Sequence, residues 1–485
     1  MKIAIVGGGT AGLAAAYELQ KARCAGAAVE YTLFEERNRL GGAMASEIVG
    51  GAVLERGPDS FLTEKPAAAE LCRELGLGSE LLPSNDAGRK TYVVVRNRLV
   101  ALPDGLMFLV PTRLFATALT PLFSLATKVR MALELLRPPH PHGTADETVA
   151  AFVERHFGAE VVDRLADPLL SGVYGGDSTQ LSARTVLPRL VEMEARYGSL
   201  TRGMLAAHRA LRARASANGR SPCSAPSIFT TLRGGMQRLV DALTTRLDPP
   251  SVRLDCAVTG LEKTAGGWRV RAGFAAETYD ALIVASPAWA AGSLLRPSDP
   301  ALADDLSAIP YSSSIVVNVV YDEARLGRLP DGFGFLVPAS EGRSMLACTF
   351  AHRKFIGRTP PGKAVLRAFL GGIRQESLMA ESGEMLVSTV RRELGEILGS
   401  SVFPPALEPE YVQITRWPRA MAQYTVGHKQ RVERIAARAA ALGGLELAGN
   451  AYDGIGVPDC IRLGRKAARE LIAQGKEESA LKAEA

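Results

Sequence analysis

Three glycines near the start of the chain, Gly7, Gly9 and Gly12, stand at the G-x-G-x-x-G spacing, and Glu35 follows about twenty residues on. Residues of these types at this spacing can grip a dinucleotide. Gly7 permits a tight turn, Gly9 lets a pyrophosphate approach the backbone, and Gly12 lets helix and strand pack closely. Thr10 and Ala11 complete the phosphate-binding turn. The phosphates would lie on the amides and positive dipole end of the helix that begins here. Glu35 would accept hydrogen bonds from an adenosine ribose and disfavour a 2′-phosphate. Glu36 belongs to the same end, on its solvated side. Arg39, Gly41 and Gly42 give the cofactor a second place to meet backbone, and Gly57, Pro58, Asp59 and Ser60 form a turn that returns the chain to it.

The elements that must hold these groups can be read from their neighbours. Ile3–Val6 is a short apolar strand, Leu13–Leu19 is strongly helix-forming, and Val29–Phe34 is a second strand ending on Glu35. A Gly-rich turn in an ordinary βα unit is the plain alternative. The expected fold class is α/β, with a Rossmann-like dinucleotide domain split over 1–86, 225–295 and 430–475. Tyr279–Ala285 supplies an apolar strand to it, and Leu445–Arg462 a strand, a glycine-punctuated turn and a second helix N-terminus. Residues 296–429 alternate strands and helices and read as a sheet-floored substrate domain; 476–485 read as a flexible tail.

Residues 87–210 read as a mainly helical insertion. Its most apolar stretch, Leu106–Ala126, is broken by Pro111, Arg113 and Pro121, which argues against a spanning helix. Two readings stay open. One is a buried helix pair; the other is a monotopic surface dipping into one leaflet, with Arg113, Lys128 and Arg130 at the headgroups.

At 485 residues the chain exceeds one ordinary core, and 47% hydrophobic with 22% charged residues describe a folded enzyme. The net charge of +6 suits an anionic substrate or membrane surface, but the basic residues are scattered, and no nucleic-acid partner is expected. Six cysteines, Cys24, Cys72, Cys223, Cys256, Cys348 and Cys460, lie far apart without metal spacing and read as reduced core thiols of a cytoplasmic protein. No metal site is expected. Met1 runs straight into the first strand, so no secretory leader is expected either.

The motif order resembles the flavin-containing amine oxidase superfamily, and within it the oxygen-dependent porphyrinogen oxidases of haem synthesis. GGGTAG at 7–12, RLGG at 39–42 and RGPDSF at 56–61 are shared across the superfamily. SGVYGGD at 171–177, GFGFLVP at 332–338 and QYTVGH at 423–428 narrow the match; LRGGM at 232–236, FLGG at 369–372 and AGNAYDGIGVPDCI at 448–461 extend it.

The resemblance implies non-covalent FAD and a porphyrinogen substrate, coproporphyrinogen III or protoporphyrinogen IX. Six electrons would leave as three hydrides, with molecular oxygen reduced to peroxide. It further implies that Val258 meets adenine through its backbone, that Trp417 packs near the isoalloxazine, and that Ile455, Gly456 and Val457 present backbone to its pyrimidine end. Gly172, Gly334, Leu336 and Phe369 would line a flat apolar slot. Thr91 stands where many protoporphyrinogen oxidases carry a propionate-binding arginine, which leaves carboxylate anchoring open. No catalytic acid–base residue is nominated. The resemblance also raises peripheral contact with the inner face of the cell membrane, a homodimer and handover to a ferrochelatase. An FAD amine oxidase, a carotenoid-type desaturase and a flavin- or porphyrin-binding carrier without turnover are the competing functions.

Overall fold

The computed structural model describes residues 1–103, 106–107, 110–111, 114–139, 145–217 and 227–484, so Arg113 and Cys223 lie outside the described residues. The chain divides into two units, each assembled from separated stretches. The first takes Met1–Pro83, Ile228–Pro310 and Lys429–Ala485; the second takes Ser84–Ser227 and Tyr311–His428.

The first unit is built on a five-stranded sheet in the order Val252–Arg253, Glu30–Phe34, Lys2–Val6, Ala281–Val284, Leu445–Leu447. Every pairing in it is parallel. Parallel strands covered on both faces read as unbroken apolar runs, and Ile3, Ala4 and Ile5 are fully buried accordingly. The Thr10–Cys24 helix covers the central strand with Leu13, Ala14, Ala15 and Leu19. Beside it runs the long Val457–Glu484 helix. A methyl group at Gly464 would come within 2.0 Å of the Ala11 carbonyl oxygen, so glycine sets how closely the two helices lie.

The second unit is built on a seven-stranded sheet in the order Tyr411–Ala422, Tyr311–Asp322, Lys363–Gly371, Met345–Phe350, Gly334–Leu336, Thr91–Val95, Arg98–Ala101. One face carries Ile315, Val317, Val319, Leu366, Ala368, Phe335 and Cys348, buried with Leu386, Val390 and Leu394 of the Gly383–Leu398 helix. Helices between Leu125 and Tyr197 form a separate apolar cluster that includes Val93 of the opposite face.

Two boundaries differ from the sequence expectation. The helical insertion and the substrate domain are one unit, because Thr91–Val95 pairs in parallel with Gly334–Leu336 and draws the 87–210 region onto the same sheet. The tail expected to be flexible from 476 is helical through Glu484; its Lys, Glu, Ala and Leu residues are strong helix formers.

Candidate functional site

In the first unit the glycine turn joins the Lys2–Val6 strand to the Thr10–Cys24 helix. Gly7 has φ +104°, a left-handed conformation that favours glycine, and a methyl at Gly12 would sit 1.9 Å from the Gly7 carbonyl oxygen. Gly9 differs: a methyl there meets nothing within 4 Å, so this residue faces open space at the N-terminus of the helix. Gly9 caps that helix with no side-chain hydrogen bond, leaving its first amides for a ligand.

Glu35 closes the next strand and is buried. One oxygen accepts from the Gly8 amide at 2.7 Å, the other from the Arg37 amide at 3.0 Å. Each oxygen keeps a second lone pair for a ribose hydroxyl. Glu36 is exposed beside Arg37. Val258 follows a segment whose Cys256 amide donates to the Glu35 carbonyl at 2.9 Å, so its backbone runs past the same acid.

Arg39 turns inward. Its guanidinium donates to the carbonyls of Leu40, Gly42 and Met44, and so shapes its own loop. Burial, with the Arg37 and Arg56 charges nearby, pulls its pKa below the ordinary guanidinium value. The Gly41 amide ties that loop to the Gly8 carbonyl at 2.8 Å. A methyl at Gly57 would stand 1.9 Å from the Ala43 carbonyl oxygen, which stacks the Gly57–Ser60 turn on the loop. Thr231 donates to the Asp59 carbonyl at 2.7 Å, and Ser60 to the Asp59 carboxylate at 2.6 Å.

The Ile455–Val457 turn opens the long C-terminal helix. Its Gly456 amide donates to Asp459 at 3.2 Å, and Lys65 holds both Asp459 oxygens at 2.7 and 2.9 Å. Neither Lys65 nor Asp459 was among the expected site residues; the only sequence signal was Asp459 inside the glycine-punctuated motif. The glycine turn, the acid and the open space at Gly9 fit a dinucleotide. Ser286, also missed, adds to the fit: its hydroxyl is buried, lacks a hydrogen-bond partner among the described residues, and stands beside the glycine turn.

In the second unit, register places the other expected residues on one sheet face. Thr91, Gly334, Thr349, Arg367, Asn318 and Gln413 form one cross-strand row. The adjoining row on the same side runs Val93, Leu336, Ala347, Phe369, Val316 and Thr415, and Trp417 lies one row further with Ser314. Gly172, on the Asp167–Tyr174 helix, faces this side: a methyl added to it would come 3.6 Å from Leu336 Cδ2. Gly334 has a backbone reason to be glycine, with φ +138° and an added methyl only 2.0 Å from the Cys348 carbonyl oxygen.

The motifs around this face hold one another. Arg374 grips Asp167 at 2.6 and 3.0 Å and Asp177 at 2.6 and 3.1 Å, joining the two ends of the segment that carries SGVYGGD. Gln423 donates to the Tyr174 carbonyl at 2.7 Å and to Ser312 at 3.0 Å, which brings in QYTVGH. The Ile373 amide donates to the Gly175 carbonyl at 2.9 Å, which brings in FLGG.

The flavin-containing amine oxidoreductase model matches residues 10–472. The chain is 32% identical to the coproporphyrinogen III oxidase of Bacillus subtilis over 481 residues, covering 97% of each chain. It is 34% identical to human protoporphyrinogen oxidase over 488 residues, covering 97% of this chain and 98% of that one. Among solved structures, a protein of Exiguobacterium sp. 255-15 assigned as a protoporphyrinogen oxidase superposes with a TM-score of 0.85 at 30% identity, over 98% and 99% of the two chains. Cyclohexylamine oxidase of Brevibacterium oxydans shares the fold, with a TM-score of 0.68 at 19% identity over 98% and 99%. A family match over residues 10–472, with relatives at 32% and 34% identity over nearly the whole chain, decides the membership: the chain belongs to the flavin-containing amine oxidoreductases, in the porphyrinogen oxidase family.

Proposed function

We propose that the chain binds FAD non-covalently and oxidises a porphyrinogen, coproporphyrinogen III or protoporphyrinogen IX, to the porphyrin. FAD in the Gly7–Gly12 cradle supplies the hydride acceptor, and molecular oxygen takes the electrons on; one porphyrinogen and three O2 give one porphyrin and three H2O2. The observation that carries the reading is the shared sheet face of Leu336, Phe369 and Trp417 under the Gly172 helix. An aliphatic and two aromatic side chains there exclude water and present a flat apolar wall, and Gly172 leaves room for the thickness of a macrocycle. Glu35 orients the adenosine ribose, and the Gly456 and Val457 backbone meets the pyrimidine end. Burial pushes the Cys460 thiol up to about 12, which keeps it protonated and favours the non-covalent flavin over a cysteinyl link.

Both substrates are expected to react, coproporphyrinogen III at least as well, since its extra propionates can recruit basic residues despite Thr91. The test is aerobic incubation of the purified protein with each porphyrinogen, following porphyrin fluorescence and peroxide. Three peroxides per porphyrin are expected. A flavin-loaded protein that yields no porphyrin, but oxidises an amine, would transfer the reading to the amine oxidases.

We also read the Leu125–Glu134 helix as a peripheral contact for an anionic leaflet on the cytoplasmic face. No helix among the described residues is long and apolar enough to cross a membrane. Leu125, Val129, Leu133 and Leu136 recur at helical spacing and are each more than half exposed, with Lys128 and Arg130 alongside. A homodimer and product handover to a ferrochelatase are carried by the resemblance alone.

A further inference from the structure

We infer that the Ser286 hydroxyl is a direct hydrogen-bonding contact for the bound dinucleotide; this rests on the FAD reading above. Ser286 follows the Ala281–Val284 strand, which pairs in parallel with Lys2–Val6 up to the Val6–Val284 pair. That puts the serine just outside the carboxyl ends of two adjacent parallel strands, where ligands of open α/β sheets bind. It also sits against the glycine turn: a methyl added to Gly7 would come within 3.1 Å of the Ser286 nitrogen.

The side chain has an unmet demand. Its oxygen is buried and has no partner among the described residues, although a hydroxyl offers one donor and two acceptor lone pairs. A buried hydroxyl left unpaired destabilises a fold, and a ligand oxygen at the glycine turn would supply the missing partner. The neighbouring residue is Pro287, which has no amide hydrogen to offer. The hydroxyl is therefore the side-chain donor this turn can aim at a ligand oxygen. The strand of Glu35 and the Ala281–Val284 strand flank Lys2–Val6 on opposite sides. Since Glu35 takes the adenosine ribose, Ser286 falls on the other side of the turn, toward the pyrophosphate and the ribityl chain.

The experiment uses the FAD-loaded enzyme, diluted while recovery of flavin fluorescence reports cofactor release. Ser286→Ala should release FAD about tenfold faster than wild type, and Ser286→Thr, which keeps the hydroxyl, should stay within about threefold. Displacement by ADP separates the two ligand groups. If the hydroxyl meets the pyrophosphate, Ser286→Ala weakens ADP binding by the same factor; if it meets the ribityl chain, ADP binding is unchanged. Ser286→Gly replaces the alanine variant should that one fail to fold. Release from the hydroxyl-free variant within twofold of wild type, or equal acceleration in the threonine variant, overturns the contact while leaving FAD binding intact. A wild-type protein that purifies without FAD and takes none up when it is supplied overturns the FAD reading together with it.

Discussion

Lys65 and Asp459 are 394 residues apart in the chain, yet the Lys65 ammonium lies 2.7 and 2.9 Å from the two oxygens of Asp459. Asp459 is buried and also accepts from the Gly456 amide, so one ion pair clamps the turn that opens the C-terminal helix. A methyl at Gly454 would lie 2.3 Å from the Asp459 carboxyl carbon, so the turn closes tightly over the pair.

Lys65→Met should loosen that turn and speed flavin release. The lysine is 41% exposed, which places the pair at about 1 kcal/mol and the acceleration at about fivefold. Asp459→Asn should cost more, because it weakens both the ion pair and the Gly456 contact. Flavin fluorescence on dilution reads both; equal release from all three proteins would deny the clamp any part in cofactor binding.

Gly172→Ala should narrow the substrate face without harming the fold. The residue is helical and its new methyl meets Leu336 at an ordinary 3.6 Å, so the melting temperature should hold or rise. The value of kcat/KM for a porphyrinogen should fall by about tenfold, mainly through KM. Gly334→Ala should behave oppositely, losing stability by about 2–4 kcal/mol through its left-handed backbone and the 2.0 Å clash with Cys348. Unchanged kinetics in the Gly172 variant would move the macrocycle elsewhere.

Thr91→Arg should raise kcat/KM for protoporphyrinogen IX by about tenfold, and by less for coproporphyrinogen III. A charge-assisted hydrogen bond to a carboxylate contributes roughly 1.5–3 kcal/mol, and the substrate with fewer propionates depends more on each. Thr91 shares its cross-strand row with Gly334, so the new side chain points to the same sheet face. Kinetics with both substrates decide the matter; no change with either would end it.

Acid should weaken the second unit through Glu194. Burial alone would raise its pKa, but hydrogen bonds from His156 and Arg155 outweigh it and hold the group at about 2. A depressed carboxylate stabilises the fold above its unfolded value of 4.5 and loses that contribution as pH falls toward about 2. The shift corresponds to about 3 kcal/mol. Urea titrations between pH 5 and 2.5 should show that slope in wild type and a flatter one in Glu194→Gln.

Leu133→Glu should abolish sedimentation with vesicles rich in phosphatidylglycerol and leave porphyrinogen turnover in solution within twofold. Binding should also weaken in high salt, since Lys128 and Arg130 contribute the electrostatic part. Wild-type protein that never sediments with such vesicles would remove the leaflet contact.

The geometry of the candidate nucleotide cradle was legible because its parts are local. Gly7, Gly9, Gly12 and Glu35 fall within the first strand, turn, helix and strand, where spacing alone fixes geometry. The proposed substrate face was legible only as an inventory. That Leu336, Phe369 and Trp417 point the same way follows from register between distant strands, which no local pattern encodes. The unit boundary was misjudged for a similar reason: Thr91–Val95 looks like the start of an insertion until its partner, Gly334–Leu336, is known. Lys65 and Ser286 carry no motif, and only packing shows what they touch.

The interleaving of the first unit has a consequence for synthesis. The Lys2–Val6 strand leaves the ribosome early, but Ala281–Val284, which pairs along one of its edges, comes far later. At about 5–20 residues per second, that edge stays open for roughly 15–55 s while the whole helical region is made. Leu445–Leu447 and the Val457–Glu484 helix arrive later still. The cofactor cradle therefore cannot close until those late segments have been made. The nascent chain must keep an apolar, aggregation-prone edge protected until then, so yield in the cell should depend on chaperone supply and on flavin when the late segments arrive.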